Sequence, residues 1–182
     1  MTNQFFDFAG GSGGQWQITA MNTITGEPLP AATHLHILPG TLTSVNPALW
    51  CLKGFTSNIR YAEKAEREKL LAVQAELGRP GASCAALIPI KKNEQWWALA
   101  QDERRKIFEQ QSHHTATGLQ YLPAIARKLY HCRDIGGPFD FLTWFEYAPE
   151  HATAFEELVH SLRNTEEWKY VDREIDIRLQ KR

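Results

Sequence analysis

The run FDFLTWFEYAPEHATAFEELVHSLRNTEEWKYVDREIDIRL, residues 139–179, predicts a strand, a helix and a second strand. Both ends of the run alternate apolar and polar side chains, as half-buried strands do. Between them Pro149 is suited to the first turn of a helix. One apolar stripe at helical spacing follows, made of Ala152, Phe155, Leu158, Val159 and Leu162. The end of the chain is therefore expected to form a strand–helix–strand unit.

An earlier stretch of the chain has the same layout. LWCLKGF (49–55) and SCAALIPIKK (83–92) predict strands, and AEKAEREKLLAVQAEL (62–77) predicts the helix between them. Gly78 and Pro80 are typical residues for ending that helix. The chain thus contains two similar units, although they share little sequence identity.

The second half contains further predicted elements. EQWWALA (94–100) favours a strand, and a long helical pattern runs from Asp102 to about Tyr130. The first half has no matching long helix. We therefore predict an α+β fold of two ferredoxin-like subdomains, the N-terminal one truncated, packed as a single domain over 1–182. The halves are expected at 1–93 and 94–182.

Composition narrows the possible functions. The 182 residues include 20 Lys and Arg against 21 Asp and Glu, which gives a net charge of −1. Bulk nucleic-acid binding needs a basic surface, so it is not expected, but a local basic pocket for a small anion is compatible. No stretch approaches the roughly 20 apolar residues of a membrane span, and the N-terminus lacks secretory-signal features.

Cysteine, glycine and histidine patterns suggest no further special chemistry. Three cysteines without CxxC spacing predict reduced thiols and a cytoplasmic location. GGSGG (10–14) lacks a following GK[ST], so a flexible lead-in is expected rather than a phosphate loop. His34 and His36 form an HxH strand face without a third ligand at suitable spacing, which favours a structural role.

The run QSHHTATGLQYLPAIARKLYHC (111–132) holds the residues best suited to catalysis. Histidine is a common axial ligand of haem iron, and arginine is suited to binding an anion. On one straight helix, His114 and Arg127 would be separated by about 20 Å and about 220°, so they would point nearly opposite ways. To address one ligand the helix must break between them, and Gly118 and Pro123 lie in that interval.

Several motifs resemble those of the chlorite dismutases. HTATGLQYLPAIARKLYH (114–131) is similar to the proximal-helix signature of that family, and FDFLTWFEY (139–147) to its DF-x-T-x-FE strand. The paired tryptophans Trp96 and Trp97 also match, and the resemblance covers most of residues 50–180. Length and the short first half resemble the short, dimeric lineage within the dimeric α/β barrel superfamily.

The resemblance implies a role for each matching residue. His114 would be the proximal ligand of the haem iron, Glu167 would accept its other ring N–H, and His113 is left without a role. Arg127 would be the distal arginine, with Gln74 set against it. The remaining expected residues of the haem pocket are Ile59, Tyr61, Trp96, Trp97, Leu122, Thr143 and Phe145.

The resemblance also implies a cofactor and a reaction. One non-covalent haem b per subunit of a homodimer would convert chlorite to chloride and dioxygen with O–O bond formation. Chlorite and other small anions are the expected ligands, and nucleic acid and membrane are not expected partners. Two alternatives stay open: a coproporphyrin- or haem-handling relative, which Arg127 argues against, and a haem-binding module without turnover.

Overall fold

The computed structural model describes residues 4–41, 47–56 and 64–181. Eight strands and five α-helices are present in this part of the chain. The strands are β1 (Phe5–Gly11), β2 (Trp16–Thr25), β3 (His34–Gly40), β4 (Trp50–Phe55), β5 (Cys84–Lys92), β6 (Ala126–His131), β7 (Phe141–Tyr147) and β8 (Val171–Lys181). The α-helices are α1 (Lys64–Val73), α2 (Glu94–Ala98), α3 (Gln101–Arg105), α4 (His114–Gln120) and α5 (Ala152–Arg163). A π-helical segment spans Lys106–Gln111, and 3₁₀ turns span Arg133–Ile135, Pro149–His151 and Glu167–Tyr170.

The strands form a closed antiparallel barrel in the order β1-β3-β2-β8-β5-β7-β6-β4, with β4 returning to β1. Closure is narrow at two seams, since β2 and β3 share two residue pairs and β4 and β6 share one, Phe55 with His131. β8 joins the two parts of the chain because it pairs with β2 on one side and β5 on the other. Among the described residues, no helix is long and apolar enough to cross a membrane. The antiparallel sheet and the five α-helices make this a mixed α+β fold.

Two apolar cores lie on the two faces of the sheet. Alternate side chains such as Leu87, Trp144 and Ile177 fill the barrel interior. The opposite face packs against α5, where the predicted apolar stripe buries Phe155 and Leu158. β5 contributes to both cores, which explains why CAALIPI reads as one apolar run. The outer face is where a ligand cavity forms.

Both strand–helix–strand units are present, but two predicted elements are wrong. EQWWALA forms α2 rather than a strand, because the Asn93 side chain accepts a hydrogen bond from the Trp96 N–H at 3.0 Å and caps a helix. The long helix predicted from Asp102 ends at Gln120, and residues 126–131 are strand β6. Pairing with β7 along its whole length outweighs the helical pattern there.

The predicted break between His114 and Arg127 is present, although only one of its two predicted causes is correct. Gly118 lies within α4 and continues the helix, whereas Pro123 lies in the turn that leads to β6. α1 ends at Val73, earlier than predicted, because the following segment makes hydrogen bonds to the sheet instead.

The GGSGG run is not a flexible lead-in. Gly10 and Gly11 belong to β1, and the rest of the run forms the turn to β2. A Cβ on Gly10 would lie 2.1 Å from the indole ring of Trp50, so this position needs glycine.

Candidate functional site

A cavity of about 320 Å³ lies between the outer face of the sheet and the helices. Its volume falls in the range of small-molecule sites. Three adjacent strands supply one wall through alternate residues that are paired in register. These residues are Ile88 and Ile90 of β5, Phe141, Thr143 and Phe145 of β7, and Arg127, Leu129 and His131 of β6. The predicted alternation of Thr143 and Phe145 onto one face is therefore correct.

The opposite wall carries a histidine that is held by a buried carboxylate. His114 begins α4 and lines the cavity, and its Nδ1 lies 2.7 Å from Oε2 of Glu167. The backbone N–H of Glu167 also donates to Oγ of Ser112 at 2.9 Å. Because Nδ1 is engaged, Nε2 is the ring nitrogen left for a ligand.

A buried lysine neutralises this carboxylate. Nζ of Lys92 donates to Oε1 of Glu167 at 2.9 Å and lies 4.7 Å above the Trp96 ring. Burial alone would raise the pKa of Glu167, but the nearby His114 and Lys92 outweigh it and lower the pKa to about 2. Glu167 is therefore an ionised carboxylate that accepts a hydrogen bond from the Nδ1–H of His114.

Two aromatic rings lie nearly parallel to the imidazole. The Phe108 ring lies 4.4 Å from the His114 ring at 20°, and the Trp168 ring lies 6.3 Å away at 23°. Together with the Glu167 hydrogen bond, they limit rotation of the imidazole.

The start of α4 is fixed by a carboxylate in the preceding π-helical segment. Glu109 accepts hydrogen bonds from the backbone N–H groups of Thr115 at 2.8 Å and Ala116 at 3.3 Å. These amides lack partners within the helix. His113, at the N-cap position, has φ 51°, and its side chain makes no capping hydrogen bond.

Arg127 presents an unpaired charge to the cavity. Within the described part of the chain, its guanidinium makes neither an ion pair nor a hydrogen bond, and burial lowers the pKa of Arg127. Its backbone carbonyl accepts a hydrogen bond from Nε2 of Gln74 at 3.0 Å. Gln74 also lines the cavity. Its hydrogen bond is to the backbone of Arg127 rather than to the guanidinium.

Most of the other predicted pocket residues come together, with one exception. Leu122 and Trp96 line the cavity. Trp97 does not: its Nε1 donates to Asp140 at 3.0 Å, and its ring stacks on Phe141, which does line the cavity. The predicted residues Ile59 and Tyr61 lie outside the described residues.

Sequence reasoning missed Lys92, Phe108, Glu109 and Trp168. Trp168 could have been found, because it directly follows Glu167, which was predicted to contact His114. Lys92 gave no signal, since it comes from a strand 75 residues away from Glu167 in the sequence.

The cavity offers a metal ion few protein ligands, so it suits a metal whose other ligands belong to a cofactor. No cluster of three or more His, Cys, Asp or Glu side chains suited to a metal occurs in the described ranges. His114 offers one nitrogen beside a largely apolar cavity, which is what a porphyrin with its own in-plane nitrogens requires. The residues that line the cavity therefore fit a haem.

Fold and cavity together define a class: α+β barrel proteins with a cavity outside the barrel, between the sheet and a helical layer. The family follows from comparison with known proteins. The family model "Chlorite dismutase" matches residues 40–182. The chain therefore belongs to the chlorite dismutase family.

Individual relatives agree with this assignment. The dimeric chlorite dismutase of Nitrobacter winogradskyi has a TM-score of 0.92 and 58% identity, over 97% of this chain and 99% of that chain. The chlorite dismutase of Ideonella dechloratans is 34% identical over 126 residues, 65% of this chain and 40% of that protein. The match thus spans about two fifths of that relative's length. A chlorite dismutase variant from Candidatus Nitrospira defluvii, with 19% identity and a TM-score of 0.66, shares the fold.

Proposed function

We propose that the chain binds one non-covalent haem b per subunit and decomposes chlorite to chloride and dioxygen. One observation carries this proposal: His114, backed by a buried carboxylate, lines the same cavity as Arg127, whose guanidinium has no polar partner among the described residues. A metal ligand and an anion-binding group are thus available to one bound molecule.

His114 would hold the haem iron through Nε2. Glu167 accepts the Nδ1–H and keeps the ring electron-rich, and Lys92 limits this effect by sharing the carboxylate. When bound, the haem would supply the redox chemistry that breaks the chlorine–oxygen bonds.

Arg127 would bind and retain the anion. A guanidinium is the cation that keeps its proton most firmly, so it can stabilise an anion even where burial lowers its pKa. Apolar surface from Leu122, Phe145 and the methyl group of Thr143 would limit water around the anion and any fragment of it, which strengthens the charge interaction. Gln74 would position the Arg127 backbone, and Trp96 would pack at the edge of the haem.

The reaction needs no general acid or base in the cavity. Chlorite, ClO₂⁻, becomes Cl⁻ and O₂ without net uptake or release of a proton. The two carboxylates that line the cavity, Glu167 and Glu174, are both engaged with cationic side chains. An anion-binding arginine in apolar surroundings is the arrangement such a reaction requires.

We also propose a homodimer, supported by the dimeric relative from Nitrobacter winogradskyi. Sedimentation equilibrium should give twice the mass of the 20.8 kDa chain, and a stable pentamer would exclude the short lineage. The cytoplasmic location stays a proposal. Its support is that all three cysteines are free thiols.

We further propose that this single domain consists of two ferredoxin-like halves. Four neighbouring strands, β8-β5-β7-β6, have helices between β5 and β6 and between β7 and β8, which is a β-α-β-β-α-β arrangement. Because β5 pairs with β7 and β8, we place the boundary before Cys84 rather than after Asn93.

Oxygen release tests the activity. The haem-loaded chain should release one O₂ per chlorite, measured with an oxygen electrode and a chloride assay. Arg127→Ala should lower kcat/KM by about 100- to 1000-fold, or about 2.7–4 kcal/mol, because one preorganised donor to an anion is lost. Arg133→Ala removes the same charge from a residue outside the cavity wall and should have little effect.

Two outcomes would contradict the proposal in different ways. A haem-loaded parent chain that releases no O₂ would be a haem-binding module without turnover. A parent that releases O₂ at the same rate as Arg127→Ala would show that the anion is bound elsewhere.

A further inference from the structure

Trp168 connects the histidine to a group of charges that the proposed function does not use. Its ring lies nearly parallel to that of His114, and its Nε1 donates to Oε2 of Glu174 at 2.8 Å. Glu174 lies on β8, is fully buried and lines the cavity. One indole thus contacts the ligand histidine through its face and a buried carboxylate through its N–H.

The Glu174 carboxylate is hydrogen-bonded to Arg163 as well as to Trp168. Its Oε1 accepts hydrogen bonds from Nε and a terminal nitrogen of Arg163 at 2.8 and 2.6 Å, so both carboxylate oxygens are occupied. Arg163 also pairs with Asp176 at 2.8 Å. The guanidinium therefore holds the carboxylate, and the carboxylate holds the indole.

We infer that Glu174 is a positioning residue that fixes the orientation of the His114 ring through Trp168. Adjacent residues act on the ring in different ways: Glu167 holds its Nδ1, and Trp168 limits its tilt. The inference rests on the proposed function in that His114 is taken as the iron ligand.

An amide cannot replace this carboxylate. Trp168 and Arg163 both donate to Glu174, so an NH₂ in either position would face another donor. Arg163 donates two charged hydrogen bonds and Trp168 only one neutral one, so the amide oxygen should stay with Arg163 and the NH₂ should face the indole N–H. Glu174→Gln should therefore release the indole. Trp168→Phe removes the N–H but keeps an aromatic face, and it provides the same test if Glu174→Gln fails to fold.

Asp176→Asn is the matched control. Asp176 is also buried and bonds to Arg163, but it has no contact with Trp168 among the described interactions. It should disturb the charge cluster while leaving the hydrogen bond between Glu174 and Trp168 intact.

The experiment compares electron paramagnetic resonance spectra of the ferric haem-loaded proteins and their rates of haem transfer to apomyoglobin. Glu174→Gln and Trp168→Phe should broaden or split the ferric signal of the parent and release haem about tenfold faster, the size expected for one hydrogen bond to a charged group. Asp176→Asn should keep the parent spectrum. If all three variants keep it, or all three change it alike, Glu174 has no specific effect on His114. A parent chain that binds no haem would instead overturn the proposed function.

Discussion

His113 and His114 are adjacent and chemically identical, yet their environments differ. His114 is hydrogen-bonded to a buried carboxylate and flanked by two rings. His113 is exposed, and its φ of 51° lies in the left-handed region, where asparagine and glycine are favoured. Of these two residues, only His114 lines the cavity.

This contrast gives a prediction at the scale of single residues. His114→Ala should lose most of its haem, because the only proposed protein ligand is removed. His113→Asn should retain a full complement, since asparagine tolerates the backbone conformation and the imidazole has no proposed role. The haem-to-protein absorbance ratio after reconstitution measures both. Full haem retention in His114→Ala would rule out this residue as the ligand.

The family motifs predicted the site residues that lie within them. They did not predict residues from distant parts of the sequence that contact the site only in the folded chain. The pairing of His114 with Glu167 followed from the family pattern, and the structure contains it. Lys92 reaches Glu167 only because β5 and the turn at 167–170 meet in the fold. Trp97 matched a motif but lies behind Phe141, because its N–H is bound to buried Asp140.

At the scale of elements, the hydrogen bonds that hold the start of α4 determine where His114 lies. The helix has seven residues, too few to be stable by itself. Its first amides are bonded to Glu109 from a π-helical segment, a kind of irregularity that is common at functional sites. The start of α4 therefore depends on one side chain outside the helix.

Glu109→Ala should remove the hydrogen bonds that cap the start of α4. Loss of a capping carboxylate costs about 0.5–2 kcal/mol of the free energy of unfolding, measured by urea denaturation. Haem affinity should fall as well, because His114 is the first residue of α4. Glu103→Ala is the control: it removes a similar capping bond, to the N–H of Ala100 before α3, which carries no cavity residue. Equal haem affinity in the two variants would contradict a positioning role for Glu109.

Elements were predictable where local patterns and tertiary pairing agree. The strand and helix of residues 139–163 are of this kind, since period-two alternation is followed by a proline and an apolar stripe. The helical pattern at 126–131 failed because β7 provides hydrogen bonds along the whole segment. A sequence pattern contains no information about such a partner.

At the scale of the whole molecule, closure of the barrel brings a charge cluster against the site. β8 contributes Glu174, Asp176 and Arg178, and α5 contributes Arg163. Asp176 bonds to both arginines, and Arg178 also pairs with Glu156. The cluster thus joins the helical layer to the barrel, and only the folded chain assembles it.

Because of this cluster, we expect stability to depend on pH in acid. Burial alone would raise the pKa of Asp176, but hydrogen bonds and charges from Arg178 and Arg163 outweigh it and hold the pKa below its ordinary value of 3.8. A carboxyl group whose pKa is lowered by folding stabilises the folded chain above the unfolded-state pKa. That contribution is lost as the pH falls through the folded-state value.

Asp176→Asn isolates this contribution. At neutral pH the variant should lose about 1–3 kcal/mol of the free energy of unfolding, because hydrogen bonds to a charged partner are weakened. Urea titrations at fixed salt and protein concentration should give a constant difference between parent and variant above about pH 5. Below about pH 4 that difference should shrink, by at most about 1.4 kcal/mol per pH unit.

A surface carboxylate provides the comparison that makes this test specific. Glu166 pairs with Lys169 at 2.6 Å, but both side chains are more than half exposed, so Glu166→Gln should change stability little at any pH. General acid destabilisation affects the parent and both variants alike and cancels in the differences. If the difference between the parent and Asp176→Asn is the same at about pH 3 as at neutral pH, the charge of Asp176 does not hold α5 to the barrel. The loss at neutral pH would then reflect packing alone.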